Sequence, residues 1–122
     1  MQYLFIFIAG GLGTLCRYSI SKLTFHFVAT NFPLGTLISN ILSCLILALT
    51  VIYFNEKIEG NSLTKSIIII GFCGGFSTFS TFSFETVELL KQGNFIIALS
   101  NVLISLCIGV SLIYFLLTQN KL

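Results

Sequence analysis

The densest chemistry in the chain lies in one run: Gly71-Phe72-Cys73-Gly74-Gly75-Phe76-Ser77-Thr78-Phe79-Ser80-Thr81-Phe82-Ser83-Phe84-Glu85. From Ser77 to Phe82, four hydroxyl residues alternate with two phenylalanines. Gly74-Gly75 lowers helix propensity twice over, and Ser and Thr side chains compete for backbone hydrogen bonds. The run therefore predicts a break in a helix. Such a break frees carbonyls that can gather round a cation. It also frees amides at the new helix start, which favour an anion. Phe76, Phe79 and Phe82 recur every third residue, which predicts a drifting column on one helix surface. A phenyl ring is negative on its face and positive at its edge. Ring edges could solvate a small anion without a fixed charge, and conduction needs binding weak enough to release the ion.

Other polar residues sit among apolar neighbours, where they are costly unless paired or facing a cavity. Asn40 has Ser39 and Ser43 beside it. Asn101 and Ser105 stand four apart and share a helix face. Arg17 needs an anionic partner or an interfacial position. Singly, each reads as glue between helices; together they suggest a polar track. Gly10, Gly11, Gly13 and Gly109 read as packing glycines. Cys16, Cys44, Cys73 and Cys107 fall in four different apolar stretches without a C-x-x-C pair. They read as small apolar residues, with no disulfide or zinc site.

The elements that must hold these groups follow from composition. The 122 residues make a single domain, 1–122; 56% are apolar and only 8% charged. A soluble domain carries roughly 25% charged residues, so a soluble enzyme is excluded. A net charge of +2 is no basic footprint for nucleic acid, and the apolar content excludes disorder. A membrane helix needs about 20 apolar residues. Four stretches qualify, at approximately 3–27, 35–54, 65–90 and 94–118, giving an all-α membrane protein with its third helix broken near the middle. Pro33 begins the second helix well, residues 55–62 form the most polar connection, and Gly93 suits a helix C-cap. The first span has no basic leader and no A-x-A site after it, so it reads as a retained helix rather than a signal peptide.

Four spans place both termini on one side. That side holds Lys57, Lys65 and Lys121, and the opposite side holds Lys22 and Lys91, with Arg17 if it snorkels that way. The positive-inside rule chooses neither orientation. Insertion in both orientations and pairing as an antiparallel dimer is the sharper reading. Four helices alone leave little room for a protein-lined path, which favours a dimer.

Over essentially its whole length the sequence resembles the Fluc (CrcB-type) fluoride channels. The resemblance rests on Gly10-Gly11-Leu12-Gly13 with Arg17-Tyr18, and on Phe32-Pro33-Leu34-Gly35-Thr36-Leu37 leading to Asn40. Its most specific part is Gly71 followed by Gly74 to Ser83 and Glu85, and Ser105 and Gly109 agree in the fourth span. It implies an antiparallel, dual-topology homodimer in a bacterial plasma membrane, with two separate pathways for fluoride. A heterodimer with a paralogue is the other form of that pairing. Phe79 and Phe82 would be the ring-edge phenylalanines, Asn40 would donate a hydrogen bond to the ion, and Ser80, Thr81 and Ser105 would belong to a hydroxyl track. Arg17 would lie near an aqueous vestibule. A structural, non-transported Na+ would be held at the dimer axis by the backbone carbonyls of Gly74 and Ser77 from both subunits. The implied activity is passive export of fluoride from the cytoplasm, which reduces its toxicity. The chain departs from the pattern at Ser77, where Thr is usual, at Asn101, where Tyr is common, and at Ser43, where Gly is frequent.

Two other classes compete. A small multidrug-type proton antiporter is also short and dual in topology, but it needs a carboxylate embedded in the first helix. The first span here has no Asp or Glu, and Glu85 and Glu88 come late in the third. The lack of Trp also weakens a cation-binding aromatic cage. A membrane assembly subunit would need no polar track. An embedded enzyme is disfavoured because His26, the one histidine, has no catalytic partner, and no P-loop is present.

Overall fold

A computed structural model describes residues 1–56 and 62–121. Lys57, one of the three lysines counted on the side of the termini, lies with most of the polar 55–62 connection outside the described residues.

Helix α1 runs Gln2–Phe27 and α2 runs Leu34–Glu56. At 1.5 Å per residue, either exceeds the roughly 30 Å of hydrocarbon. Between them Val28 turns extended. The Phe32 amide donates to Thr30 Oγ1, and the Leu37 amide closes the first turn of α2 on the Pro33 carbonyl. The third span has two parts. Its first half, α3, covers residues 62–76: an α-helical start at Ser62–Ser66, a π-helical stretch at Ile67–Cys73 and one α-turn at Gly74–Phe76. Its second half, α4, is Phe79–Lys91. The last helix, α5, is Phe95–Gln119. Gly93 takes φ +79° between α4 and α5, the left-handed conformation that glycine adopts freely. Its amide donates to the Leu90 carbonyl and that of Asn94 to Leu89, the paired bonds that close a helix at a C-terminal glycine.

Packing within the chain is built from small residues. α1 lies chiefly on α3, α2 on α5 and α1, and α4 on α5. A Cβ at Gly75 would collide with the Gly10 carbonyl, and one at Gly13 with the Phe72 carbonyl. Such contacts let two backbones meet where lipid supplies no hydrophobic drive. The buried set is mostly small or polar, with Ala9, Ala48, Cys73 and Ala98 beside Thr36, Ser39, Ser43, Thr50 and Asn101; Phe76 and Leu89 are its large apolar members. Large apolar side chains such as Phe7, Ile96 and Phe115 face outward. Four helices are long and apolar enough to cross a membrane.

The break that the 71–85 run predicts is present, and the structure corrects the part of the glycine pair in it: the break lies past Gly74-Gly75. Gly74 is in ordinary helical conformation (φ −62°, ψ −37°), and the helix continues to Phe76. The chain departs at Ser77 and Thr78, both extended. Gly75 is there for close approach to α1, and that contact outweighs its poor helix propensity. The phenylalanine column is corrected as well. The break divides it, so Phe76 pairs with Phe72 at 5.3 Å between centroids, and Phe79 pairs with Phe82 at 5.9 Å.

Candidate functional site

The break is held by side chains from α1, α2 and its own flanks. Ser77 turns back on the preceding helix: its Oγ and its amide both donate to the Cys73 carbonyl, at 2.8 and 2.9 Å. Ser43 Oγ from α2 donates to the same carbonyl at 3.1 Å. Thr78 is the N-cap of α4, its Oγ1 accepting from the Thr81 amide at 3.2 Å. Asn40 grips the Thr78 backbone from both sides. The Thr78 amide donates to Asn40 Oδ1 at 2.8 Å, and Asn40 Nδ2 donates to the Thr78 carbonyl at a looser 3.4 Å. A carboxamide carries two N–H donors, so Asn40 retains a second one. Arg17 Nε donates to the Gly75 carbonyl at 3.2 Å, with Thr14 Oγ1 on the same oxygen at 3.4 Å. Arg17 thus meets the negative end of α3, whereas the sequence called for an anionic side chain or the interface.

The two ends at the break differ in what this chain leaves unbound. On the α3 side the Cys73 and Gly75 carbonyls are occupied. Among the described residues, no donor takes the Gly74 or Ser77 carbonyl. On the α4 side the first-turn amides of Phe79 and Ser80 have no acceptor within the helix. The Thr78, Ser80 and Thr81 hydroxyls cluster beside them, Thr78 Oγ1 lying 3.3 Å from Ser80 Oγ and 3.1 Å from Thr81 Oγ1. Phe79 follows at once and is 79% exposed within this chain. Carbonyls face one side of the break and donors the other.

Farther along, α4 and α5 share a second polar row. Asn101 Nδ2 donates to Thr86 Oγ1 at 3.0 Å, Thr86 Oγ1 donates to the Phe82 carbonyl at 2.8 Å, and Ser105 Oγ donates to Asn101 Oδ1 at 3.5 Å. Asn101 and Ser105 share a helix face, as their spacing predicts. Ser80, Thr81 and Ser105 therefore divide between two groups, one at the start of α4 and one on α5.

Several participants had no assigned role in the sequence. Thr14, Ser43 and Thr86 act through long-range contacts that local pattern does not reveal. Thr36 Oγ1 donates to Glu85 Oε1 at 2.8 Å, and Glu85 Oε2 is buried without a partner among the described residues. An acid within a span was the signal for such a pair. Glu85 and Glu88 border a cleft of about 500 Å³ between the end of α1, the 28–33 connection and α4, with Ser21, Thr24, Thr36 and Gln92 also lining it. Arg17 is not among its lining residues; it lies one turn before Ser21 on α1. Among the described residues, no three His, Cys, Asp or Glu gather as metal ligands.

The model of a protein family described as "CrcB-like protein, Camphor Resistance (CrcB)" matches residues 4–117. A relative in Coxiella burnetii, named fluoride-specific ion channel FluC, is 42% identical over 112 residues, covering 89% of this chain and 90% of the relative. A protein of the same name in Geobacter sp. is 41% identical over 104 residues, covering 85% and 84%. Another in Solibacter usitatus is 34% identical over 115 residues, covering 94% of each.

Proposed function

The chain belongs to the CrcB family, and from that membership we propose that it is a fluoride channel rather than an enzyme. Two copies pair antiparallel in a bacterial plasma membrane and form two pathways. The observation that carries the reading is the start of α4. Two first-turn amides without an acceptor among the described residues, three clustered hydroxyls and the Phe79–Phe82 pair, of which Phe79 faces outward, meet there next to a spare Asn40 donor.

Fluoride is small, strongly hydrated and a strong hydrogen-bond acceptor. Donors set at hydrogen-bond distance can replace its water, and the positive end of α4 adds attraction. Phe79 and Phe82 offer ring edges, Ser80 and Thr81 hydroxyls, Asn40 its second N–H, and Ser105 continues the track on α5. No full positive charge stands among these donors, so the ion is not trapped. Arg17, engaged with Gly75, lies at the vestibule end and attracts anions without entering the track.

The dimer draws support from exposure. Phe79 projects out of its own chain, and each span's apolar window is between 11% and 22% buried within one copy. A path lined by Phe79 is thus completed by a second copy. The Gly74 and Ser77 carbonyls fit a structural Na+, since oxygen ligands suit a hard cation and no donor among the described residues takes either. Four such oxygens, two from each copy, would hold the ion and pin the crossing of the two third spans.

Hydrogen fluoride crosses membranes unaided and dissociates in a near-neutral cytoplasm, where the anion is trapped. A passive pathway lets fluoride leave down its electrochemical gradient without coupling to ATP. Purified protein in liposomes should release fluoride and retain chloride, read with ion-selective electrodes; chloride efflux at a similar rate would overturn the selectivity.

A further inference from the structure

The hydrogen-bonded row between α4 and α5 has a direction, and the direction is set from one end. A hydroxyl carries one proton. Thr86 commits its proton to the Phe82 carbonyl at 2.8 Å. Its oxygen therefore accepts from Asn101, at 3.0 Å, which requires the amide nitrogen of Asn101 on that side. The amide oxygen is then turned toward Ser105, and Ser105 meets it by donating, at 3.5 Å. Asn101 is 1% exposed, so its amide is shielded from bulk water, while Ser105 is only half-buried and can meet an ion. The consequence falls on Ser105: the proton that its hydroxyl would offer an anion is turned onto Asn101.

We infer that Asn101 is a positioning residue that parks the Ser105 hydroxyl proton between passages of the ion, so that an anion binds Ser105 only by drawing this proton off Asn101 Oδ1. The inference rests on the reading of the chain as a fluoride channel with Ser105 on its path. An O–H···O bond of 3.5 Å is long and weak, so the hydroxyl exchanges partners readily. The competition still weakens anion binding at Ser105, and a site that holds its ion less tightly releases it sooner. Asn101 thus tunes residence on α5 without touching the ion.

The test is fluoride conductance of the reconstituted dimer as a function of fluoride concentration. Asn101→Leu removes the parking oxygen at similar size. It should lower the half-saturating fluoride concentration by about twofold, short of the roughly fivefold that an ordinary hydrogen bond is worth because this one is long, and reduce the maximal conductance. Asn101→Asp should raise the half-saturating concentration, because a carboxylate holds the proton harder and repels the anion. Thr86→Val releases the amide of Asn101 and should shift half-saturation in the same direction as Asn101→Leu, which keeps the test alive if the leucine variant fails to assemble. In a Ser105→Ala background, Asn101→Leu should shift nothing. A purely structural role for Asn101 would alter yield or melting and leave half-saturation in place. Unchanged half-saturation in the leucine and valine variants, or an equal shift in the Ser105→Ala background, overturns this inference while leaving fluoride conduction standing. A wild-type protein that passes no fluoride overturns both.

Discussion

The two halves of the third span meet end to end and are built in opposite ways. α3 is locked by backbone contact: Gly71 and Gly75 lie so close to α1 that neither has room for a Cβ without displacing it. It ends in carbonyls, two of which its own chain caps with Ser43, Ser77, Arg17 and Thr14. α4 is held by hydrogen bonds, through Thr78, Asn40 and the Asn101–Thr86 pair. It begins with the Phe79 and Ser80 amides, which find no acceptor among the described residues, and with hydroxyls bonded only to one another and to their own first turn. In water both ends would be satisfied by solvent. On the proposed function, the groups left unbound in the membrane receive a cation on the α3 side and an anion on the α4 side.

Four experiments would break or sharpen that contrast. The largest effect should come from the carbonyl side. Removing sodium, with no substitute cation, should abolish fluoride flux, and full flux in sodium-free buffer would remove the cation from the break. Next, Phe79→Ile or Phe82→Ile should cut flux by about tenfold, the rate equivalent of about 1.4 kcal/mol of aromatic interaction. The dimer should persist on size-exclusion chromatography, and wild-type flux in both variants would take the rings off the pathway. Third, Gly75→Ala should cost about 1–3 kcal/mol of stability through overpacking. Gly10→Ala should be tolerated, since its Cβ would sit 3.6 Å from the nearest atom, the Gly71 carbonyl oxygen; equal melting of the two variants would deny that α3 is locked at Gly75. The smallest effect is expected of Thr78→Val, which removes the N-cap of α4 at a cost of about 1 kcal/mol. Wild-type melting there would show that Asn40 alone holds the turn.

Much of this was legible in the chain, for identifiable reasons. Length and hydropathy mark the four spans because a bilayer imposes both. A break in the third could be read from its Ser/Thr run. Its position could not, because propensity scores Gly74-Gly75 as helix-breaking without knowing that α1 lies against Gly75. The π-helical stretch at Ile67–Cys73 left no signal in the pattern. Asn40 stood out as a polar residue in a span, but its partner is 38 positions away and only the fold brings Thr78 to it. Arg17 showed the same limit: its charge asked for an anionic partner or the interface, and the fold answered with a helix terminus. Thr86 carried no local mark at all, since its role exists only beside Asn101.

The central claim is that the open donors at the start of α4 carry fluoride. It is tested most directly by loading liposomes with fluoride and chloride together, adding an ionophore for the counter-cation, and following both anions with electrodes. Rapid fluoride release with chloride retained is the expected result. Retention of both anions, or their release at comparable rates, would contradict it.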